Sequence, residues 1–231
     1  MVELSDYFDH RNGADLDSLI ANLASSGVRA HSVHSLFGTG HDISSPDDEI
    51  HERGVDALID AIELASVLGS EVVIVHASDK LTDNRRRRVE RARGVLREVG
   101  VIARASGVVI ALENLPPGYL GHTPEEIWSL LDGTDPDSVS VCFDSGHANL
   151  SGKFSEFAAA LLPRSVTTHL HDNNGRADEH RFPGEGTIDW RRFGADYRAL
   201  RCSASIMLEC SPPEGMLWSE AFQRLRVAMG E

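Results

Sequence analysis

Side chains that bind metal ions recur in this chain at the ends of short apolar runs. His34 ends the run VRAHSVH and His76 ends the run EVVIVH. The same place is held by Glu113 in VVIALE, Asp144 in VSVCFD, His169 in VTTH and Glu209 in SIMLE. Mixed histidine and carboxylate ligands suit zinc, manganese or a similar divalent ion, whereas dedicated calcium sites use oxygen ligands. Because clustered carboxylates repel one another unless cations hold them, the pattern predicts a metal site.

Each of these side chains also has a purely structural interpretation. A single His34 or His76 is more often a hydrogen-bonded core histidine than a metal ligand. A single Glu113 or Glu209 could instead be a buried ion-pair partner. Recurrence at the ends of six apolar runs favours metal binding for the set as a whole.

The elements that must position these residues alternate between strands and helices. The predicted strands are Val2–Leu4, Val28–Ser35, Glu71–Ala77, Val108–Asn114, Ser138–Asp144, Val166–Asp172 and Ser203–Glu209. Between them, apolar residues recur at helical spacing, and TPEE at 123–126 has the pattern of a capping box with Thr123 as the cap. Such alternation predicts an α/β fold with a parallel sheet. No linker or change in composition divides the chain, so we expect one domain over residues 1–231.

Composition limits the classes of binding partner and the cellular compartment that we expect for this protein. The 231 residues carry a formal net charge of −14, which weakens the case for nucleic acid as a partner without excluding it. No apolar run reaches the roughly 18 residues of a membrane span, and MVELSDYFDH has no secretory pattern. The three cysteines show no zinc-finger or disulfide spacing, so we expect reduced thiols in a cytoplasmic protein.

An arginine-rich segment at 84–100, NRRRRVERARGVLREVG, has two interpretations. An apolar stripe of Val89, Ala92, Val95, Leu96 and Val99 predicts a helix with most arginines on its outer face. The alternative is a contact with nucleic acid. The stripe favours a solvated helix face.

Longer motifs around the candidate ligands resemble one known family. The segments ALENLP, CFDSGHANL, HLHDNNG, PGEGTIDW and IMLEC resemble the xylose isomerase-like TIM-barrel superfamily, which includes sugar-phosphate isomerases and epimerases and the endonuclease IV family. The resemblance implies a TIM-type (β/α) barrel with its site at the C-terminal ends of the strands. One departure is that only seven strands are predicted, and VEL at 2–4 resembles the family's second strand. Either Val2–Leu4 serves as the first strand with altered geometry, or the barrel lacks the first βα unit. An open barrel would leave strand edges that need cover, for example from a second copy of the chain in a homo-oligomer.

The resemblance also implies a set of ligands for one to three divalent ions. In the epimerase branch the quartet would be Glu113, Asp144, His169 and Glu209, with the two glutamates passing a proton across the substrate. The endonuclease IV pattern implies three ions held by nine residues in all. The first would take His34, His76 and Glu113, the second would take the same quartet, and the third would take His147, Asp178 and His180.

The expected function is that of a metal-dependent sugar or sugar-phosphate isomerase or epimerase. His147, His171 and Arg181 would contact a small carbohydrate substrate, although Arg181 is equally consistent with a surface charge. One alternative is an endonuclease IV-like phosphodiesterase acting on abasic-site DNA. A second is a metal-binding or sugar-binding protein without catalysis. The chain lacks long basic insertions for gripping a duplex, which favours the carbohydrate.

Overall fold

The computed structural model describes residues 1–5, 13–81 and 84–231. This part of the chain has seven strands and eight α-helices, which alternate except that α5 and α6 follow each other directly. The strands are β1 (Val2–Ser5), β2 (Ala30–His34), β3 (Val72–Val75), β4 (Val109–Glu113), β5 (Val139–Asp144), β6 (Ser165–Leu170) and β7 (Ser205–Leu208). The helices are α1 (Gly13–Ser26), α2 (Asp48–Leu68), α3 (Arg85–Ala105), α4 (Pro124–Leu131), α5 (Ser145–Leu150), α6 (Phe154–Leu161), α7 (Trp190–Ala199) and α8 (Trp218–Ala228).

All seven predicted strands are present. The predicted bounds were too wide at several ends. β2 begins at Ala30 rather than Val28, while His76 and Glu209 come directly after their strands. Strands β2, β3 and β5 are buried at every residue, as expected for parallel strands covered on both faces. The α/β class is therefore confirmed.

The described residues form two compact units, each with its own internal contacts. Unit 1 comprises Met1–Glu113 and Trp128–Ser140, and unit 2 comprises Asn114–Ile127 and Val141–Glu231. The prediction of one domain over residues 1–231 stays a prediction.

In unit 1 the strands β1 to β4 pair in parallel order. Helices α2 and α3 cover them with side chains such as Leu58, Ile62 and Leu96, all of which are fully buried. Helix α2 begins at a conventional cap, because the Asp47 carboxylate accepts hydrogen bonds from the N–H groups of Glu49 and Ile50.

Unit 2 pairs β5 with β6 and β6 with β7, again in parallel. Its core is aromatic: the rings of Phe143 and Phe193 stack with centroids 5.7 Å apart, and Phe154 packs edge-on against both. Thr123 caps α4 as predicted, with its hydroxyl accepting from the Glu126 N–H at 3.2 Å. The Glu126 carboxylate also accepts from the N–H of Gly121 at 2.7 Å.

The arginine-rich segment forms α3, and its apolar stripe is largely buried. Arg86 and Arg87 are exposed, in agreement with a solvated outer face. Arg88 departs from that pattern, because it is buried and donates to the Asp42 carboxylate at 2.9 Å. Across the described parts of the chain, every helix is too short or too polar to cross a bilayer.

Candidate metal sites

In unit 1, three predicted ligands come together at the ends of neighbouring strands. Val75 pairs with Leu112, so the next residues, His76 and Glu113, lie side by side. His76 Nε2 lies 3.1 Å from Glu113 Oε2, and His34 Nε2 lies 3.5 Å from the same oxygen. The three ligand atoms lie within 4.8 Å of one another. We call these residues the unit 1 trio.

His34 and Glu113 are buried and His76 is partly buried, and the geometry of the trio suits a metal ligand set. The Glu113 carboxylate is only 1% exposed, so its charge needs a nearby cation. His34 Nδ1 donates to the carbonyl of Ser35 at 2.8 Å, which leaves Nε2 as the nitrogen that faces Glu113. A histidine ligand commonly donates its other ring N–H in this way. The half-exposed Phe37 ring packs on both imidazoles, with centroids 5.0 Å from His34 and 4.4 Å from His76.

In unit 2, strand register places a second group of predicted ligands together. Asp144 on β5 pairs directly with His169 on β6. Ligand atoms of Asp144, His169 and Glu209 lie within 4.8 Å of one another, and Glu209 Oε2 is 3.3 Å from His169 Nδ1. Glu209 Oε2 is buried and has no hydrogen-bond partner among the described residues. Because an orphaned buried carboxylate oxygen is costly, this atom fits a site that takes a cation.

Two histidines of unit 2 converge on one carboxylate oxygen. Asp178 Oδ2 lies 3.2 Å from His147 Nε2 and 3.1 Å from His180 Nε2. The Nδ1 atoms of both rings face main-chain carbonyls, His147 toward Asn114 at 3.0 Å and His180 toward Glu209 at 2.9 Å. The structure thus places the three residues of the predicted third ion next to one another.

The contacts between Asp178 and the two histidines also shift the pKa values of Asp178 and His180. Burial opposes ionisation of Asp178, but hydrogen bonds from His147 and His180 outweigh it and hold the pKa of that carboxyl well below its usual range. The hydrogen bond to Asp178 raises the pKa of His180 to about 9. His180 also has a φ of 45°, a left-handed conformation that is uncommon for a histidine and typical of functional positions.

His171 and Arg181, both predicted to contact substrate, have different surroundings. His171 is fully buried, with Nε2 3.1 Å from Asp144 Oδ2 and its ring stacked on His180 at a centroid distance of 4.0 Å. Burial lowers the pKa of His171, but the Asp144 charge outweighs it and the net pKa is raised. Arg181 is exposed, and its guanidinium donates to Glu179 at 2.5 Å within its own loop.

Sequence reasoning missed the role of Asp172, which follows His171. Its carboxylate is fully buried and accepts four hydrogen bonds. The donors are the N–H groups of Asn173 (2.9 Å), Gly184 (3.0 Å) and Ile188 (3.2 Å) and the Trp190 indole Nε1 (2.7 Å). Asp172 therefore braces the β6–α7 loop (residues 171–189), which carries Asp178 and His180. The signal in the sequence was PGEGTIDW, whose glycine, isoleucine and tryptophan supply three of these donors.

Two further residues fix the strand ends of unit 2. The Asn114 side chain exchanges hydrogen bonds with the backbone of Asp144, at 3.0 and 2.9 Å. Gly146 lies flat against the His171 ring, where a Cβ atom would collide with the imidazole. The glycine in CFDSGH is therefore needed for the close approach of α5 to His171.

Comparisons with known proteins place the chain among related sequences. The model of the family described as a xylose isomerase-like TIM barrel matches residues 2–227. The uncharacterized protein MJ1311 of Methanocaldococcus jannaschii is 36% identical over 166 residues, which are 68% of this chain and 56% of that protein. A probable endonuclease 4 of Geobacter sulfurreducens is 26% identical over 185 residues, which are 72% of this chain and 61% of that protein. The chain thus spans about three fifths of the length of the curated relatives it matches.

Solved structures are similar over nearly the whole chain. A D-tagatose 3-epimerase-like protein has a TM-score of 0.86 and 26% identity, over 98% of this chain and 87% of that one. The IOLI protein, solved with a bound zinc atom, has a TM-score of 0.79 and 20% identity, over 98% of this chain and 85% of that one. At 20% identity, the likeness to the IOLI protein shows the fold alone.

Proposed function

Because the chain belongs to the xylose isomerase-like TIM barrel family, we propose that it is a divalent-metal-dependent isomerase or epimerase of a small carbohydrate. The observation that carries the proposal is the gathering of Asp144, His169 and Glu209 in unit 2, with Glu209 Oε2 buried and lacking a hydrogen-bond partner among the residues that the structure describes. Similarity to a D-tagatose 3-epimerase-like protein supports a carbohydrate as the substrate.

The residues have distinct roles in this proposal. Asp144, His169 and Glu209 would hold a zinc or manganese ion, which would supply Lewis-acid polarisation of the carbonyl and hydroxyl oxygens of the substrate. By family resemblance, Glu113 and Glu209 remove and return the proton on the carbon next to the carbonyl. The Glu209 side chain is 31% exposed, so a ligand can reach it. The exposed Arg181 is assigned to substrate contact.

A second candidate function is metal-dependent hydrolysis of a phosphodiester. It is favoured by one observation, the convergence of His147 and His180 on Asp178, because a one-ion epimerase does not need this additional group. The relatives described as probable endonuclease 4 point in the same direction. Clustered metal ions in such a site would activate water and stabilise the leaving oxygen.

One set of measurements separates the two functions. Purified protein is first assayed for bound metal, and then for turnover of a panel of ketoses and for cleavage of abasic-site DNA. We expect ketose turnover that falls about 100-fold to 10,000-fold in Glu209→Gln and in Glu113→Gln. Glu98→Gln, on the exposed side of α3, is the matched control and should keep wild-type activity.

Two results would reject the epimerase proposal. The first is DNA strand cleavage by metal-loaded protein that turns over none of the ketoses. The second is full ketose turnover by Glu209→Gln, which would remove the proton-transfer role from that carboxylate.

A further inference from the structure

The buried imidazole of His171 is surrounded by carboxylates. Its Nε2 atom lies 3.1 Å from Asp144 Oδ2, 3.8 Å from Asp178 Oδ1 and 3.9 Å from Glu209 Oε2. We propose that His171 is a direct ligand of the metal ion held by unit 2, through Nε2, in place of the substrate contact predicted from the sequence. This inference rests on the metal dependence in the proposed function.

The distances around His171 fit shared coordination of one ion. Two ligand atoms that each lie about 2.0 to 2.1 Å from a tetrahedral zinc ion are separated by about 3.3 Å. The distance of 3.1 Å from His171 Nε2 to Asp144 Oδ2 is close to that value. The distance of 3.9 Å to Glu209 Oε2 needs a shift of about half an ångström, which is within reach of a glutamate side chain. His171 also belongs to two groups of potential ligands, one with Asp144 and His147 and one with His180 and Glu209.

Substrate contact is a poorer explanation of the same position. The His171 side chain is fully buried, so it offers no surface to a sugar. The neighbouring Asp144 is fully buried as well. A ligand role uses the one nitrogen that faces the carboxylates, and it requires no opening of the core.

Charge balance argues against a hydrogen bond as the whole explanation. His171, even when protonated, supplies one positive charge near the three carboxylates of Asp144, Asp178 and Glu209. Asp178 has two other histidine partners, and His169 Nδ1 lies 3.3 Å from Glu209 Oε2, but that oxygen still has no hydrogen bond among the described residues. A divalent ion beside His171 Nε2 would give this oxygen a cationic partner.

The local backbone holds His171 in this position before any ion arrives. The Ser145 hydroxyl accepts from the His171 N–H at 2.9 Å and donates to the His171 carbonyl at 2.7 Å. Gly146 allows the ring to lie against the first turn of α5. Such support from neighbouring groups is typical of residues that ligate metals.

Anomalous diffraction from zinc-soaked crystals of the wild-type protein tests the inference without any substitution. We expect a zinc peak within about 2.3 Å of His171 Nε2. A zinc ion bound to Asp144 or Glu209 but more than about 3 Å from His171 Nε2 would overturn the inference and leave the proposed metal dependence intact. If unit 2 binds neither zinc nor manganese, both the inference and the metal dependence are wrong.

Zinc affinity in solution provides a second test. Competition with a chromophoric chelator should show that His171→Gln binds the unit 2 zinc more than about 100-fold more weakly than wild type, beyond the usual effect of an outer-shell residue. The matched control is His122→Gln, because His122 pairs with Glu126 and belongs to none of the potential ligand groups found in the described parts of the chain. An affinity for His171→Gln within about 3-fold of that control would contradict direct ligation.

Discussion

The unit 1 trio and the ligands of unit 2 are built in different ways. In unit 1, His34 and Glu113 are the last residues of their strands and His76 directly follows one, so parallel register alone brings them together. In unit 2, Asp144 and His169 also meet through register, but Asp178 and His180 come from the β6–α7 loop. A strand end needs only its neighbours in the sheet. A loop ligand needs a separate structure to hold it.

That separate structure is the buried Asp172 carboxylate. It gathers donors from both ends of the β6–α7 loop, and the loop has a further internal brace where Glu179 accepts from the Asn174 N–H at 2.9 Å. The comparison predicts that single changes away from the ligands will damage unit 2 more than unit 1.

The largest expected effect is that of Asp172→Ala. The substitution leaves the donors of Gly184, Ile188 and Trp190 without their acceptor, and those of Ile188 and Trp190 are buried, so we expect a loss of about 3 to 5 kcal/mol in the free energy of unfolding. Chemical denaturation measures this loss, and chelator competition should show weaker zinc binding by unit 2. Asp189→Ala is the control, since the exposed Asp189 side chain caps α7 and its loss should cost about 1 kcal/mol. Equal losses in the two variants would mean that Asp172 is not the brace.

The second prediction concerns a ligand of unit 1. His76→Ala removes one of the two imidazoles that face Glu113. We expect the affinity for one equivalent of zinc to fall by more than about 100-fold, while the zinc held by unit 2 residues is retained. Isothermal titration with zinc distinguishes the two classes of site. Loss of all zinc binding in this variant would show that the ligand groups are not separable.

The third prediction tests the close approach of α5 to His171. A Cβ atom in Gly146→Ala would collide with the His171 ring, so we expect overpacking to cost about 1 to 3 kcal/mol and to weaken zinc binding. Gly94→Ala is a matched control in helix α3, where a Cβ atom meets nothing within 4 Å. The control should be neutral or more stable by up to about 1 kcal/mol. Thermal unfolding of both variants provides the comparison, and an unchanged Gly146→Ala would contradict the contact.

The smallest effect is a pH dependence in metal-free protein. The pKa of His180 is raised to about 9 by Asp178, so the protonated ring stabilises the folded state. This contribution is fully present below the ordinary histidine pKa of about 6.5 and is lost as the pH rises through about 9. The free energies of unfolding of wild type and His180→Gln, measured by urea denaturation, should therefore differ at about pH 6 and converge at about pH 10. A difference in this free energy that grows with pH would contradict the stabilising role of the protonated His180 ring. The size should be small because His180 is 40% exposed.

Much of the architecture could be predicted from residue patterns. The seven strands follow from their apolar runs, and the ligands at strand ends follow because parallel strands end at one edge of a sheet. Register could not be predicted, because it depends on how neighbouring strands pack. The burial of Arg88 could not be predicted from the sequence either, because its partner Asp42 lies 46 positions away.

The loop of unit 2 shows the limit of local patterns most clearly. The sequence identified Asp178 and His180 as candidate ligands, but it gave no reason for their position. That reason is Asp172, whose hydrogen bonds to Gly184, Ile188 and Trp190 span 12 to 18 positions of sequence. Tertiary hydrogen bonds of this length leave no periodic signal.

His34 and His147 each donate Nδ1–H to a main-chain carbonyl, and this has a consequence for the thermodynamics of ion capture. Because a carbonyl can only accept, the orientation and tautomer of both rings are settled during folding. Little rotational freedom of these side chains is left to lose when an ion arrives, and water released from the ion contributes a favourable entropy. After a chelator removes the ion, the rings stay in place, so the emptied protein should recapture metal without a slow rearrangement.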